Sequence, residues 1–136
     1  MELYTYGQPR TGNFIFSKWL SQKPIGSSRV VHHNDLVPHL APGALSIYAH
    51  HQNEVWIRAR NSLSAVLCRT SRLEEPRCSH SVPLAQLSKE DHSTYFRIAV
   101  GQAGCYGGAS SISINTPLSL LEPPLSNFSR EIILCA

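Results

Sequence analysis

The apolar positions of the chain fall in short blocks separated by turn-forming residues, and the spacing inside each block predicts its element. Glu2-Leu3-Tyr4-Thr5-Tyr6-Gly7 is rich in β-formers and stops at Gln8-Pro9-Arg10-Thr11-Gly12-Asn13, a turn signature. Phe14, Phe16 and Trp19-Leu20 follow at roughly helical spacing, predicting a short amphipathic helix that begins near Asn13 and ends at Pro24 and Gly26-Ser27-Ser28. Arg29-Val30-Val31-His32-His33 reads as a buried strand halted by Asn34-Asp35, and Val37 to Gly43 as a proline-bearing turn. Leu45 to Ala49 and Glu54 to Ile57, joined by His50-His51-Gln52-Asn53, read as a hairpin. Leu67 to Ser88 reads as loop, and Asp91 to Phe96 as a compact polar-aromatic cluster.

Beyond Gly104 the pattern dissolves. Residues 107–136 hold Ser, Gly, Pro and aliphatics without a period of 3.6 or 2, and Glu122-Pro123-Pro124 interrupts the leucines before it. The expected organisation is therefore an α/β unit over residues 1–104, with an irregular, disordered tail over 105–136.

Composition narrows the functional classes. The 136 residues are 42% hydrophobic and 15% charged, which excludes a disordered polyelectrolyte and allows one domain at most. No apolar run approaches the ~18 residues of a membrane span. Met1 to Tyr6 reads as a strand, lacking the basic start and apolar stretch of a signal peptide. The net charge of +3 is spread over scattered arginines, without the basic face and interleaved aromatics of a nucleic-acid binder, so no nucleic-acid partner is expected.

Cys68 and Cys78 bracket a short polar stretch, and either a loop-closing disulfide or two unpaired structural thiols fits them. Zinc would need two more ligands at regular spacing, which His80 alone does not supply. Cys105 and Cys135 have no local partner. The dense histidines, His32, His33, His39, His50 and His51, lack a carboxylate or thiol at ligand spacing, so no metal and no cofactor is expected. Arg10 reads as tying neighbouring strands together, Trp19 and Trp56 as core anchors, and Asn127-Phe128-Ser129 as a weak glycosylation signal.

Strand, turn, helix and a strand ending in Asp35 is the pattern of an open α/β sheet, whose functional groups lie at the carboxyl ends of its strands. A carboxylate there can accept the Nδ1–H of a histidine and stabilise the imidazolium formed during acyl transfer. His92, 57 residues on, is the candidate histidine. Acid before histidine is the order of α/β-hydrolases.

The residues themselves carry a resemblance. Tyr4 to Asn13 resembles the strand–turn signature of the fungal class 3 lipases, a family that includes feruloyl esterases. Arg29-Val30-Val31-His32-His33-Asn34-Asp35-Leu36-Val37-Pro38-His39-Leu40 resembles its catalytic-aspartate motif. Ile47-Tyr48-Ala49-His50 and Glu54-Val55-Trp56-Ile57 are similar to its following hairpin, and Asp91-His92-Ser93-Thr94-Tyr95-Phe96 to its catalytic-histidine motif. The resemblance implies a partial α/β-hydrolase fold (C-terminal strands, helix and hairpin). It implies Asp35 as orienting acid, His92 as general base, a loop disulfide Cys68–Cys78 and secretion. The substrate implied is an acylglycerol or feruloyl ester, met with or without a lipid interface, and the chemistry needs no cofactor.

The sequence departs from the family at its most reactive position. The family's nucleophile lies in a Gly-x-Ser-x-Gly elbow upstream of the strand that opens this chain, and no such motif occurs in the 136 residues. Ala41-Pro42 stands where Pro-Pro is common, and Arg97 where a glycine is common, at a turn where arginine resists a positive φ. Three readings follow: a fragment of a serine carboxylic-ester hydrolase, inactive alone; a catalytically dead lipase-like interaction module; or a hydrolase whose nucleophile comes from another chain or from a serine such as Ser110.

Overall fold

The structure, a computed structural model, describes residues 1–41, 47–68, 72–101 and 104. The tail from 105 on, with Cys105, Cys135 and the Asn127 signal, lies outside the described residues, as does the Leu45 end of the expected hairpin.

Four strands, β1 (Glu2–Tyr6), β2 (Gly26–His32), β3 (Glu54–Ile57) and β4 (Val66–Cys68), form one sheet in the order β1-β2-β3-β4. The first three are parallel and β4 is antiparallel to β3. The helix α1 (Phe14–Ser21) carries the chain from β1 to β2. It starts where expected because the Asn13 side chain accepts the Phe16 N–H at 2.9 Å, capping a donor that has no partner in the first turn. β2 begins three residues earlier than its apolar pattern predicts, since Gly26, Ser27 and Ser28 pair with Glu2, Leu3 and Tyr4.

The expected hairpin is not formed. β3 has its two edges taken by β2 and β4, so its antiparallel partner is Val66–Cys68, inside what reads as loop, while Ala49 bridges instead to Gly12. A second small sheet joins β5 (Thr94–Tyr95) and β6 (Ile98–Ala99) through a two-residue turn. Phe96 and Arg97 take φ of 50° and 65° there, as such turns require at both positions. Arg97 thus adopts the conformation its side chain was expected to resist. Its Nε donates to the Asn61 carbonyl at 2.9 Å, one contact that favours the turn.

The alternation of side chains along β2 splits the core between two faces. Val31 packs with Trp56, Cys68 and Cys78 on one; Val30 packs with Ile57 and Tyr95 on the other. Cys68 and Cys78 form a disulfide, resolving the open choice between bridge and free thiols. Trp56 is a core anchor as expected, with its indole N–H donating to the His33 carbonyl at 2.9 Å. Trp19 is not: it is 51% exposed, stacked on Phe16 with the Lys23 ammonium over its ring. The reason is the facing of α1, whose one buried residue is Ser17, held by a hydroxyl bond to the Ala49 carbonyl.

Candidate active site

Asp35 lies three residues beyond the end of β2, at the carboxyl edge of the parallel strands. Its carboxylate is completely buried and fully engaged. Oδ1 accepts the Val37 N–H at 2.8 Å, a local turn that fixes the rotamer. Oδ2 accepts the hydroxyl of Tyr95 and faces His92 Nδ1 at 3.0 Å.

His92 comes from a single 3-10 turn, Glu90–Ser93, that leads into β5. That turn is stitched to the end of β2: Leu36 N–H donates to the Ser88 carbonyl at 3.1 Å, and Ser88 N–H to the Asn34 carbonyl at 2.8 Å. The His92 side chain is 41% exposed, and among the described residues nothing bonds its Nε2. Because the buried carboxylate only accepts, Nδ1 is the nitrogen that donates to Asp35, and Nε2 is the one left facing the surface.

Two further residues shape the ring's seat, and neither was singled out in the sequence. Tyr95, almost wholly buried, donates its phenol to Asp35; burial and then the neighbouring carboxylate push its pKa well up, so it stays a donor. Gly7 ends β1 with φ +61°, and a Cβ there would lie 2.5 Å from His92 Cε1 and Nδ1 and 2.7 Å from the Tyr95 oxygen. Only a glycine backbone gives both the conformation and the clearance. The signals were present, Gly7 at the end of the first strand and Tyr95 three residues after His92, but nothing in the sequence ties either to Asp35.

The other expected residues take structural places. Arg10 is buried and joins loops, not strands: it forms a double contact with Glu74 (2.7 and 3.0 Å) and donates to the carbonyls of His39 and Ala41. Burial raises the Glu74 pKa, but Arg10 outweighs it and holds the carboxyl at about 2. Burial, then the charge of Arg29, lowers His50 to about 3 and His51 to about 4. His50 Nε2 donates to the Pro38 carbonyl at 2.7 Å, and the His39 ring lies between the Asp35 and Ser79 carbonyls. These rings brace loops. Among the described residues, the grouping with metal-ligand proximity is Glu54, Cys68 and Cys78, whose sulfurs are already joined to each other.

A buried acid past a parallel strand, hydrogen-bonded to a half-exposed histidine from a later loop, is the acid–base arrangement of the α/β-hydrolases. Comparison with known proteins narrows the class. Residues 1–44 match the family model of lipase (class 3). The chain is 38% identical over 99 residues to a lipase of Rhizomucor miehei, covering 73% of this chain and 26% of the relative. It is 41% identical over 56 residues to a secreted mono- and diacylglycerol lipase of Fusarium solani, covering 41% and 16%. A lipase from Rhizopus microsporus var. chinensis superposes with a TM-score of 0.66 at 36% identity, over 76% of this chain and 34% of that one. A triacylglycerol lipase whose catalytic centre is a serine-protease-type triad superposes at 0.63 with 41% identity, over 71% and 36%. Over this matched portion the chain is similar to the fungal class 3 lipases, and its fold is a piece of the α/β-hydrolase fold. It spans about a quarter of the length of the Rhizomucor relative.

Proposed function

We propose that this chain is the acid–base portion of a serine carboxylic-ester hydrolase, with Asp35 and His92 as two members of a triad whose nucleophilic serine lies outside the 136 residues. The observation that carries the reading is the contact between buried Asp35 Oδ2 and His92 Nδ1, with Nε2 left open at the surface. In the reaction, Nε2 takes the proton of the serine hydroxyl as it attacks the ester carbonyl, and returns it to the departing alcohol. Asp35 keeps Nδ1 protonated and stabilises the imidazolium that forms between the two transfers. Residues 1–104 form the hydrolase portion and 105–136 a separate tail.

The lipase relatives support carboxylic esters of the acylglycerol type as the substrate; feruloyl esters are the second class of this reading, and a lipid surface its setting. Secretion fits the disulfide Cys68–Cys78 and the secreted relative. Among the described residues no helix is long and apolar enough to cross a membrane. The competing reading, a lipase-like binding module without catalysis, is favoured by one observation, the lack of any Gly-x-Ser-x-Gly in the sequence.

The test joins the full chain, in place of the matched region, to the preceding portion of the Rhizopus microsporus lipase, and follows p-nitrophenyl ester hydrolysis. The proposal expects turnover that falls by about 1,000-fold or more in His92→Ala. A folded hybrid without turnover, or with turnover indifferent to His92→Ala, overturns it in favour of the binding module.

A further inference from the structure

The end of β2 and the His92 turn are joined by a second histidine–carboxylate contact that the triad chemistry does not use. Asp91 precedes His92, is 2% exposed, and points back at the residues preceding Asp35. Its Oδ2 lies 2.9 Å from His33 Nδ1 and accepts the Asn34 N–H at 3.3 Å, while Oδ1 meets Arg60 Nε at 2.8 Å. The Asp91 carbonyl lies 2.9 Å from Nδ1 of buried His32, whose Nε2 reaches the Arg60 carbonyl at 2.7 Å. Two short segments, 32–35 and 91–92, therefore exchange partners crosswise: the histidine of the first binds the acid of the second, and the histidine of the second binds the acid of the first.

A buried carboxylate is costly unless its oxygens are satisfied. Asp91 satisfies both of its oxygens on groups from elsewhere in the chain, His33 and Asn34 just past β2 and Arg60 just past β3, so its turn is tied to those two segments. His33 takes a left-handed φ of 43°, uncommon for a residue with a Cβ, and in that conformation its ring meets Asp91 while its carbonyl takes the Trp56 indole N–H. Burial works against the Asp91 charge, but the His33 contact, the Asn34 N–H and Arg60 outweigh it, and the carboxyl is held below its ordinary range.

We infer that Asp91, with His33 as its partner, is a positioning residue: it sets the register of the His92 turn against the end of β2 and so holds His92 Nδ1 in line with Asp35. The inference rests on the proposed role of the Asp35–His92 pair. Asp91 touches no reacting atom. It acts through the backbone between residues 91 and 92 and through the paired segment 32–35.

The experiment observes the His92 Hδ1 proton by NMR in the full chain labelled with ¹⁵N-histidine, and measures its exchange with water. The wild-type chain is expected to show a protected Hδ1 that disappears in Asp35→Asn. In Asp91→Ala that proton is expected to exchange about tenfold faster or more, whereas Asp91→Asn, which keeps an oxygen for His33 and Asn34, stays within about threefold of wild type. His33→Ala leaves the buried acid in place and guards against loss of folding; it is expected to speed exchange by at least about threefold while amide protection in β2 and β3 is kept. An unchanged Hδ1 in both Asp91→Ala and His33→Ala overturns the positioning role and leaves the Asp35–His92 pair standing. A wild-type chain without a protected Hδ1, or one whose signal survives Asp35→Asn, overturns the pair and the positioning role together.

Discussion

The two ends of the β1–α1–β2 unit are built on opposite terms. At the carboxyl edge of the strands, Asp35 is buried with both oxygens occupied, His92 is tethered through Nδ1, and the segments that carry them are cross-linked by backbone and side-chain hydrogen bonds. At the helix flank, Phe14, Ile15, Phe16 and Trp19 lie exposed while Ser17 faces inward, and among the described residues β1 has one neighbour in the sheet. A parallel sheet is ordinarily covered on both faces, and a contiguous apolar patch marks a surface that binds something. The difference teaches that the orientation of the Asp35–His92 pair is set by contacts among the described residues, whereas nothing among them covers the aromatic face of α1.

Substitutions at the two ends should therefore differ in kind. Outside the Asp35–His92 pair itself, the largest effect is expected from Gly7→Ala. Its Cβ would sit 2.5 Å from the His92 ring, so the ring must move, and displacements near 1 Å at a reacting group cost about 100-fold in rate. Turnover of the hybrid lipase reads this directly; activity within threefold of the parent would show that the ring tolerates the shift.

Next in size is the contrast between Ile57→Ala and Trp19→Ser. Ile57 is fully buried, and its truncation is expected to cost about 2–5 kcal/mol in urea unfolding. Trp19, exposed on α1, is expected to cost within about 0.5 kcal/mol in the chain alone and to reduce its aggregation. Comparable losses at the two positions would erase the distinction between the ends.

Acid supplies a smaller, graded effect. His50 and His51 are held neutral at about 3 and about 4, so below the ordinary 6.5 the unfolded chain binds protons that the folded one refuses. Their contribution is complete above pH 6.5 and is lost progressively as the pH falls from there to about 4 for His51 and about 3 for His50, where the folded rings protonate. Glu74 adds to the loss between its ordinary 4.5 and about 2, where the folded carboxyl finally protonates. The urea midpoint should accordingly fall from pH 7 to pH 4, and fall less in His50→Gln. A midpoint that holds or rises on acidification contradicts the sign.

Much of the site was legible in the sequence because its signals are local. Asn13 capping α1, the apolar Val30-Val31 run and the acid that halts it are short-range features, and the family motifs carry Asp35 and His92 in order. What the sequence hid is what depends on distant partners. The pairing of β3 with β4 links Glu54–Trp56 to Val66–Cys68, and the polar 50–53 stretch between two β-like runs imitates a hairpin that the parallel neighbour β2 pre-empts. The aromatic spacing of α1 predicts a helix correctly but not which face is covered, since amphipathicity reports a stripe and not its occupant. Tyr95 and Asp91 gain their roles only when residues roughly 60 positions apart are folded together.

The most direct test of the acid–base reading is the turnover of the hybrid lipase carrying Asp35→Asn. The substitution keeps size and hydrogen-bonding shape but no longer demands a protonated Nδ1. The account predicts that kcat drops by about 10,000-fold, as loss of the orienting acid does in a Ser-His-Asp protease triad. A decrease of less than tenfold in a folded protein would contradict it.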